Sequence, residues 1–138
     1  MRVFVDTNIP MYAAGKEHPY RDPCRSIIRA IASGSVDAVT DAEVFQEILY
    51  RYLYINKREQ GLVIFDKFQT LMGEGILPVT MRDVGLAREL VVTCPALSPR
   101  DLIHVAVMIH HEVRHILSTD RGFDPVEEVI RIDPVDFS

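Results

Sequence analysis

The chain has 138 residues, of which 48% are apolar and 25% are charged, and its formal net charge is −5. These values are typical of one folded domain spanning residues 1–138, and they exclude a disordered or low-complexity chain. Because no apolar run is long enough to cross a bilayer and the first residues do not resemble an export signal, we expect a cytoplasmic protein with no membrane contact.

The hydrophobic pattern predicts strands and helices that alternate along the chain. Strands are predicted at 2–5, 36–39, 76–79, 115–119 and 129–132, and helices at 20–33, 40–53, 62–72, 80–92 and from 98 onward. Thr40 and Glu43 fit a capping box, and Ser98 is expected to cap a helix with Pro99 in its first turn. No hairpin dipeptide joins consecutive strands. We therefore predict an α/β fold with a mostly parallel sheet covered by helices on both faces.

Four acidic residues stand where a parallel sheet brings its strand ends together. Asp6 and Asp120 follow predicted strands, Glu47 lies two turns into the 40–53 helix, and Asp101 begins the helix from 98. Ligands of such sheets bind at the carboxyl ends of the strands, so these carboxylates are predicted to converge. Carboxylates brought together either have raised pKa values or hold cations; we expect cations, and hard oxygen ligands favour Mg²⁺ or Mn²⁺. Bound cations would reverse the local field, so the net negative charge does not exclude a nucleic-acid partner.

Each acid also has an alternative, structural interpretation. Asp6 is a candidate helix cap, Asp101 fits the end of a capping box, and Asp120 fits a turn. Glu47 differs from them, because Glu43 already occupies the capping-box position and Glu47 lies one turn further along the same face. A carboxylate at that position requires a partner.

Four short segments around these acids together resemble the PIN-domain family over the whole chain. They are Val-Asp-Thr-Asn at 5–8, the segment 40–49 with its late Glu, Ser-Pro-Arg-Asp-Leu-Ile-His at 98–104, and Leu-Ser-Thr-Asp-Arg-Gly-Phe-Asp at 117–124. A chain of this size resembles the VapC-type toxins of prokaryotic toxin–antitoxin pairs. The resemblance implies a three-layer α/β/α sandwich and a metal-dependent endoribonuclease, in which water activated by the metal attacks an RNA phosphodiester. It also implies two protein partners, a cognate antitoxin and a second copy of the chain.

The resemblance further implies roles for individual residues. The catalytic residues and ligands of Mg²⁺ or Mn²⁺ that it implies are Asp6, Glu47, Asp101 and Asp120. The auxiliary residues that it implies are neighbours that orient the carboxylates and one outer acid, namely Thr7, Asn8, Thr119 and Asp124. Asp124 has an alternative role as the cap of a turn before Pro125.

Other functions remain open at this stage. The main alternative is a catalytically silent PIN-like domain that only binds RNA or a protein. The segment 111–115 matches the zinc-peptidase pattern His-Glu-x-x-His, but His115 begins a predicted strand, which would separate the two histidines. A phosphatase of another α/β class is disfavoured because the segment 6–8 lacks a second Asp.

Two further features have competing interpretations. His104 shares a helix face with Asp101, so it is either close to the acids or a partly buried histidine bonded to backbone. Tyr50 and Tyr54 lie on a face of the 40–53 helix that the apolar stripe does not use. We hypothesise that this face contacts a second copy or an antitoxin, and the alternative is that both rings pack under the connection 56–61.

Overall fold

A computed structural model describes residues 1–137, and a five-stranded sheet lies at its centre. The strands are β1 (Arg2–Val5), β2 (Asp37–Asp41), β3 (Ile76–Leu77), β4 (His115–Leu117) and β5 (Ile130–Ile132). Their order across the sheet is β3-β2-β1-β4-β5, and all four neighbouring pairs are parallel. The prediction of a parallel sheet is therefore confirmed.

Helices cover both faces of the sheet, which makes the fold a three-layer α/β/α sandwich. The helices are α1 (Asn8–Ala14), α2 (Arg21–Ala32), α3 (Ala42–Tyr54), α4 (Arg58–Met72), α5 (Met81–Leu90) and α6 (Pro99–His110). Helix α1 packs on α2, α5 packs on α6, and α3 contacts both α4 and α6. Within the described residues, no helix is long and apolar enough to cross a membrane.

The central strand is the most deeply buried element of the sheet. Val3, Phe4 and Val5 have no exposed surface, as expected for a strand with neighbours on both sides and a helix layer on each face. Cys24 and Cys94 are buried free thiols.

The main error of the sequence-based assignment is at the start of α3. Asp41 is the cap, because its Oδ1 accepts a hydrogen bond from the Val44 amide at 3.1 Å. Thr40 belongs to β2, and its hydroxyl donates to the carbonyl of Val5 at 2.9 Å. The predicted capping box of Thr40 and Glu43 is thus wrong, since the hydroxyl is used between strands.

Other element boundaries differ by smaller amounts. Helix α1 was not assigned from the sequence, and α4 begins four residues before the predicted helix. The edge strand β3 ends at Leu77 because Pro78 has no amide to donate to a ladder. The Ser98 cap of α6 is confirmed, with the Asp101 amide donating to Ser98 Oγ at 3.2 Å.

Candidate functional site

The order of strands reverses between the neighbouring strands β1 and β4, and such a point is where parallel sheets bind ligands. A cleft of about 710 Å³ opens there. Its lining includes five acidic residues, Glu17 and the four here named the acidic cluster: Asp6, Glu47, Asp101 and Asp120. The structure thus brings together the four acids that the sequence singles out.

Asp6 is held by three hydrogen-bond donors at the end of β1. The Thr7 amide donates to Oδ1 at 2.8 Å, and Asn8 Nδ2 donates to Oδ2 at 3.1 Å. The Ser118 hydroxyl also donates to Oδ2, at 2.6 Å. Because the carboxylate is 4% exposed and held from three directions, its orientation is fixed before any ligand binds.

Ser118 is a site residue that the sequence analysis missed. It is fully buried directly after β4, and its Oγ accepts a hydrogen bond from the Asp120 amide at 3.0 Å while donating to Asp6. It thereby connects two members of the acidic cluster. The signal available in the sequence was a hydroxyl residue that follows the apolar residues of the strand and lies two positions before Asp120.

Three predicted auxiliary residues, Thr7, Asn8 and Thr119, also take part in the hydrogen bonds around the acidic cluster. Asn8 Oδ1 accepts a hydrogen bond from the Thr119 amide at 3.2 Å, which ties the segment after β1 to the segment after β4. The Thr7 hydroxyl donates to Glu47 Oε1 at 2.8 Å. Thr7 and Asn8 therefore orient carboxylates by direct contact, whereas Thr119 takes part through its backbone.

Asp101 is the member of the acidic cluster whose ionisation is most perturbed. Burial raises its pKa to about 6, and the nearby carboxylates of Asp6 and, less strongly, Asp120 and Glu47 act in the same direction. The opposing influence is that of His104. A carboxyl with a pKa this high gains from a nearby cation, because a cation offsets both the burial and the repulsion.

Two arginines lie beside Glu47. The sequence-based prediction considered only the acids and did not place these cations near them. Arg51 Nη2 and Arg100 Nη1 are each 3.9 Å from Glu47 Oε2. Arg100 Nε is also 3.5 Å from Glu43 Oε1. Glu47 therefore differs from Asp6 and Asp101 in having partial cationic compensation on its outer side.

His104 is completely buried beneath the acids and bonds to a carboxylate rather than to backbone. Its Nδ1 lies 2.7 Å from Asp41 Oδ2, and its Nε2 lies 4.0 Å from Asp6 Oδ1. Burial opposes the charged imidazole, but Asp41 and, more weakly, Asp6 outweigh it and raise the pKa of His104 to about 9. An imidazolium has no lone pair for a metal, so in this state His104 supplies positive charge instead of a ligand.

Asp120 and Asp124 occupy different environments although they are four residues apart. Asp120 is exposed at the rim of the cleft, and its Oδ1 accepts a hydrogen bond from the Gly122 amide at 2.8 Å. Asp124 is absent from the lining of the cleft and forms a two-bond ion pair with Arg131, the shorter bond being 2.7 Å. The suggested role of Asp124 as an outer acid has no support in this geometry.

The His-Glu-x-x-His segment does not form a metal site. Helix α6 ends at His110, Glu112 has a left-handed φ of 57°, and His115 opens β4. The two histidines of the pattern therefore lie on different elements, as the predicted strand at 115–119 requires.

The donor set fits a divalent cation. Asp6, Asp101 and His104 have potential ligand atoms within 4.8 Å of one another. With His104 protonated, the donors are carboxylate oxygens on an open cleft, which is the ligand type preferred by Mg²⁺ and Mn²⁺. A cation in this position faces bulk solvent and is accessible to an extended substrate.

Comparisons with known proteins agree with this geometry. Residues 3–129 match the family described as PIN domain. The chain is 40% identical over 130 residues to Ribonuclease VapC13 of Mycobacterium tuberculosis, an alignment covering 94% of this chain and 98% of that protein. It is 36% identical over 120 residues to Ribonuclease VapC23 of the same species, covering 86% of this chain and 92% of that protein.

A solved structure of VapBC2 from Rickettsia felis, bound to a DNA fragment from their promoter, has the same fold. The TM-score is 0.74 at 20% sequence identity, over 96% of this chain and 98% of that chain. At this identity the likeness is evidence for the fold alone.

Proposed function

The chain belongs to the PIN-domain family, and from this premise we propose that it is an endoribonuclease that hydrolyses RNA phosphodiester bonds with Mg²⁺ or Mn²⁺. The observation that carries the proposal is the convergence of the acidic cluster on one cleft at the reversal of strand order. The ribonuclease names of relatives that align over nearly the whole chain support the choice of RNA as substrate.

In this proposal Asp6 and Asp101 would hold the cation, and Glu47 and Asp120 line the same cleft. A bound divalent cation supplies a Lewis acid that favours attack by water and offsets charge on the phosphate. The Ser118 and Asn8 donors keep Asp6 in position, and the Thr7 hydroxyl does the same for Glu47. Because the pKa of Asp101 is about 6, a proton would compete with the cation for this carboxylate below about pH 6, and cation binding would weaken there.

We further propose that the chain is the toxin of a toxin–antitoxin pair in the cytoplasm. The VapC names of the relatives that align over most of the chain support this proposal, because the chain's own motifs resemble the VapC-type toxins that act with a cognate antitoxin. The homodimer that the family resemblance implies remains a prediction.

Glu47→Gln tests the function with a matched control one turn away. Glu43 and Glu47 lie on the same helix near the same arginine, but only Glu47 lines the cleft. We expect Glu47→Gln to slow cleavage of single-stranded RNA in Mg²⁺ or Mn²⁺ by roughly tenfold or more, and Glu43→Gln to change it less than about twofold. The reverse order of sensitivity would contradict the assignment.

A catalytically silent domain is the outcome to exclude. Isothermal calorimetry with Mn²⁺ distinguishes the two, because a silent domain has no need of a bound cation. Wild-type protein that binds RNA yet neither binds Mn²⁺ nor cleaves in its presence would replace the nuclease with a binding module.

A further inference from the structure

Two exposed tyrosines form an ordered stack on helix α3. The rings of Tyr50 and Tyr54 are nearly parallel, with an interplanar angle of 14° and centroids 6.1 Å apart. Tyr50 is 54% exposed and Tyr54 is 79% exposed, so neither packs under the connection that follows α3. Exposed aromatic rings fixed in parallel are suited to bind another flat ring.

The stack begins at the edge of the cleft. The Arg100 guanidinium carbon lies over the Tyr50 ring, 5.2 Å from its centroid, and Arg100 itself lines the cleft beside Asp101. Tyr50 also follows Glu47 by three residues, one turn along the same helix face. The series from Arg100 through Tyr50 to Tyr54 therefore leads from the acidic cluster out to solvent.

Cationic side chains line the cleft, and two of them are next to Tyr50: Arg51 in sequence and Arg100 by contact with the ring. Lys16, Arg51 and Arg100 line the cleft together with the acids. The buried Nε of Arg100 has no hydrogen-bond partner among the described residues, although it lies 3.5 Å from Glu43. A polyanion that approaches the acidic cluster needs compensating charge nearby, and these side chains supply it.

We propose that Tyr50 and Tyr54 are the base-stacking subsite of the enzyme, with Arg100 and Arg51 at the neighbouring phosphates. This inference rests on the proposed ribonuclease function and adds to it the side chains that hold a base of the substrate. Bases in a duplex are already stacked on each other, whereas unpaired bases are free to stack on aromatic side chains. The subsite recognises the flat ring of a base and therefore accepts RNA of different sequences.

The alternative to RNA on this face is a protein partner. A substitution of Leu53 distinguishes these two occupants. Leu53 is on the same helix and is exposed to the same extent as Tyr50, 54%. An apolar protein contact uses Leu53 as well as the tyrosines, but a base stack uses only the rings. The alignment of the rings with the Arg100 guanidinium favours the nucleic acid.

The experiment measures RNA binding without cleavage. The full chain carrying Asp101→Asn is titrated against a short single-stranded RNA containing 2-aminopurine, whose fluorescence is quenched on stacking. Tyr50→Ser and Tyr54→Ser are each expected to raise Kd roughly tenfold and to reduce the quenching. Tyr50→Phe and Leu53→Ser are expected to stay within about twofold of the parent, as is binding of a fully paired duplex by every variant.

Sedimentation and thermal melting of the same variants complete the test. If both Ser variants remain folded and bind the single strand like the parent, the subsite is overturned. It is equally overturned if Leu53→Ser weakens binding as much, or if the Ser variants change only the oligomeric state. Wild-type protein that fails to cleave RNA would overturn the proposed function, but the binding comparison would still decide the role of the stack.

Discussion

Two groups of carboxylates lie near the carboxyl ends of strands of the sheet, and they are stabilised in opposite ways. The first is the acidic cluster of the cleft. The second, here named the Arg131 network, surrounds a single arginine on β5 and consists of Arg131, Asp124, Asp133 and Tyr20.

The Arg131 network is electrostatically satisfied within the chain. Arg131 is 2.7 Å from Asp124 and 3.2 Å from Asp133, and the Tyr20 hydroxyl donates to Asp133 at 2.9 Å. The hydrogen bond from Arg131 lowers the pKa of Asp124. Although burial raises the pKa of Asp133, hydrogen bonds from the Val135 amide, Tyr20 and Arg131 lower it overall.

Among the described residues, no cation is hydrogen-bonded to the acidic cluster in this way. The His104 imidazole bonds to Asp41 and is 4.0 Å from Asp6, and Arg51 and Arg100 are each 3.9 Å from Glu47. Burial and neighbouring acids raise the pKa of Asp101 to about 6, whereas the Arg131 network lowers the pKa of its own acids. The comparison shows that a carboxylate next to an arginine stabilises the fold, while carboxylates that face each other are left in need of a cation from solution.

The largest expected effect comes from removing a charge in the cleft. Asp6→Asn is expected to reduce RNA cleavage by roughly a thousandfold, because it removes the charge of a proposed metal ligand without changing the side-chain volume. Asp124→Asn is expected to leave cleavage within about twofold. Cleavage rates of both folded variants in Mg²⁺ or Mn²⁺ check this pair, and equal losses would break the distinction between the two groups.

A divalent cation should stabilise the folded protein by binding in the cleft and not at the Arg131 network. At a Mn²⁺ concentration about a hundredfold above Kd, linkage predicts a gain of about 3 kcal/mol in the free energy of unfolding. Thermal melting should show this gain in wild type and in Asp124→Asn, but not in Asp6→Asn. A gain that persists in Asp6→Asn would locate the cation elsewhere.

Removing the central cation of the Arg131 network should affect stability rather than catalysis. The Arg131 side chain is 9% exposed, and Arg131→Met deletes its charged hydrogen bonds to both acids. We expect a loss of about 2 kcal/mol in urea unfolding, with cleavage per folded molecule unchanged. Arg131 Nη1 also donates to the Ser118 carbonyl at 3.0 Å, so a selective loss of cleavage would instead reveal coupling to the cleft.

The two groups should give pH dependences of opposite sign. Asp101 binds its proton more tightly when folded, so without metal its contribution to stability is lost as pH rises from about 4 to about 6. We expect a decrease of about 2 kcal/mol over that range, absent in Asp101→Asn. Asp124, with a lowered pKa, contributes stability that is lost only as pH falls below about 4. Urea unfolding at a series of pH values measures both.

The local pattern of the chain was sufficient to predict most of the architecture. The buried strand at 2–5, the Ser98 cap and the alternation of strands with helices follow from hydrophobic periodicity and capping chemistry, which act over a few residues. The same reasoning placed Asp6 and Asp120 at the ends of strands. The prediction of Thr40 as the cap was wrong because Thr40 bonds across the sheet to Val5, 35 residues away in sequence, and Asp41 caps the helix instead.

The roles of individual polar residues depended on tertiary contacts. No local pattern distinguishes Asp120 from Asp124, yet one lines the cleft and the other pairs with Arg131 from a different strand. Ser118 and His104 likewise acquire their functions from partners more than 60 positions away, Asp6 and Asp41. The sequence by itself determined which residues are able to bind a cation and which elements carry them. The tertiary structure alone decided which carboxylates are compensated, because charge compensation depends on distance in space, which sequence separation does not specify.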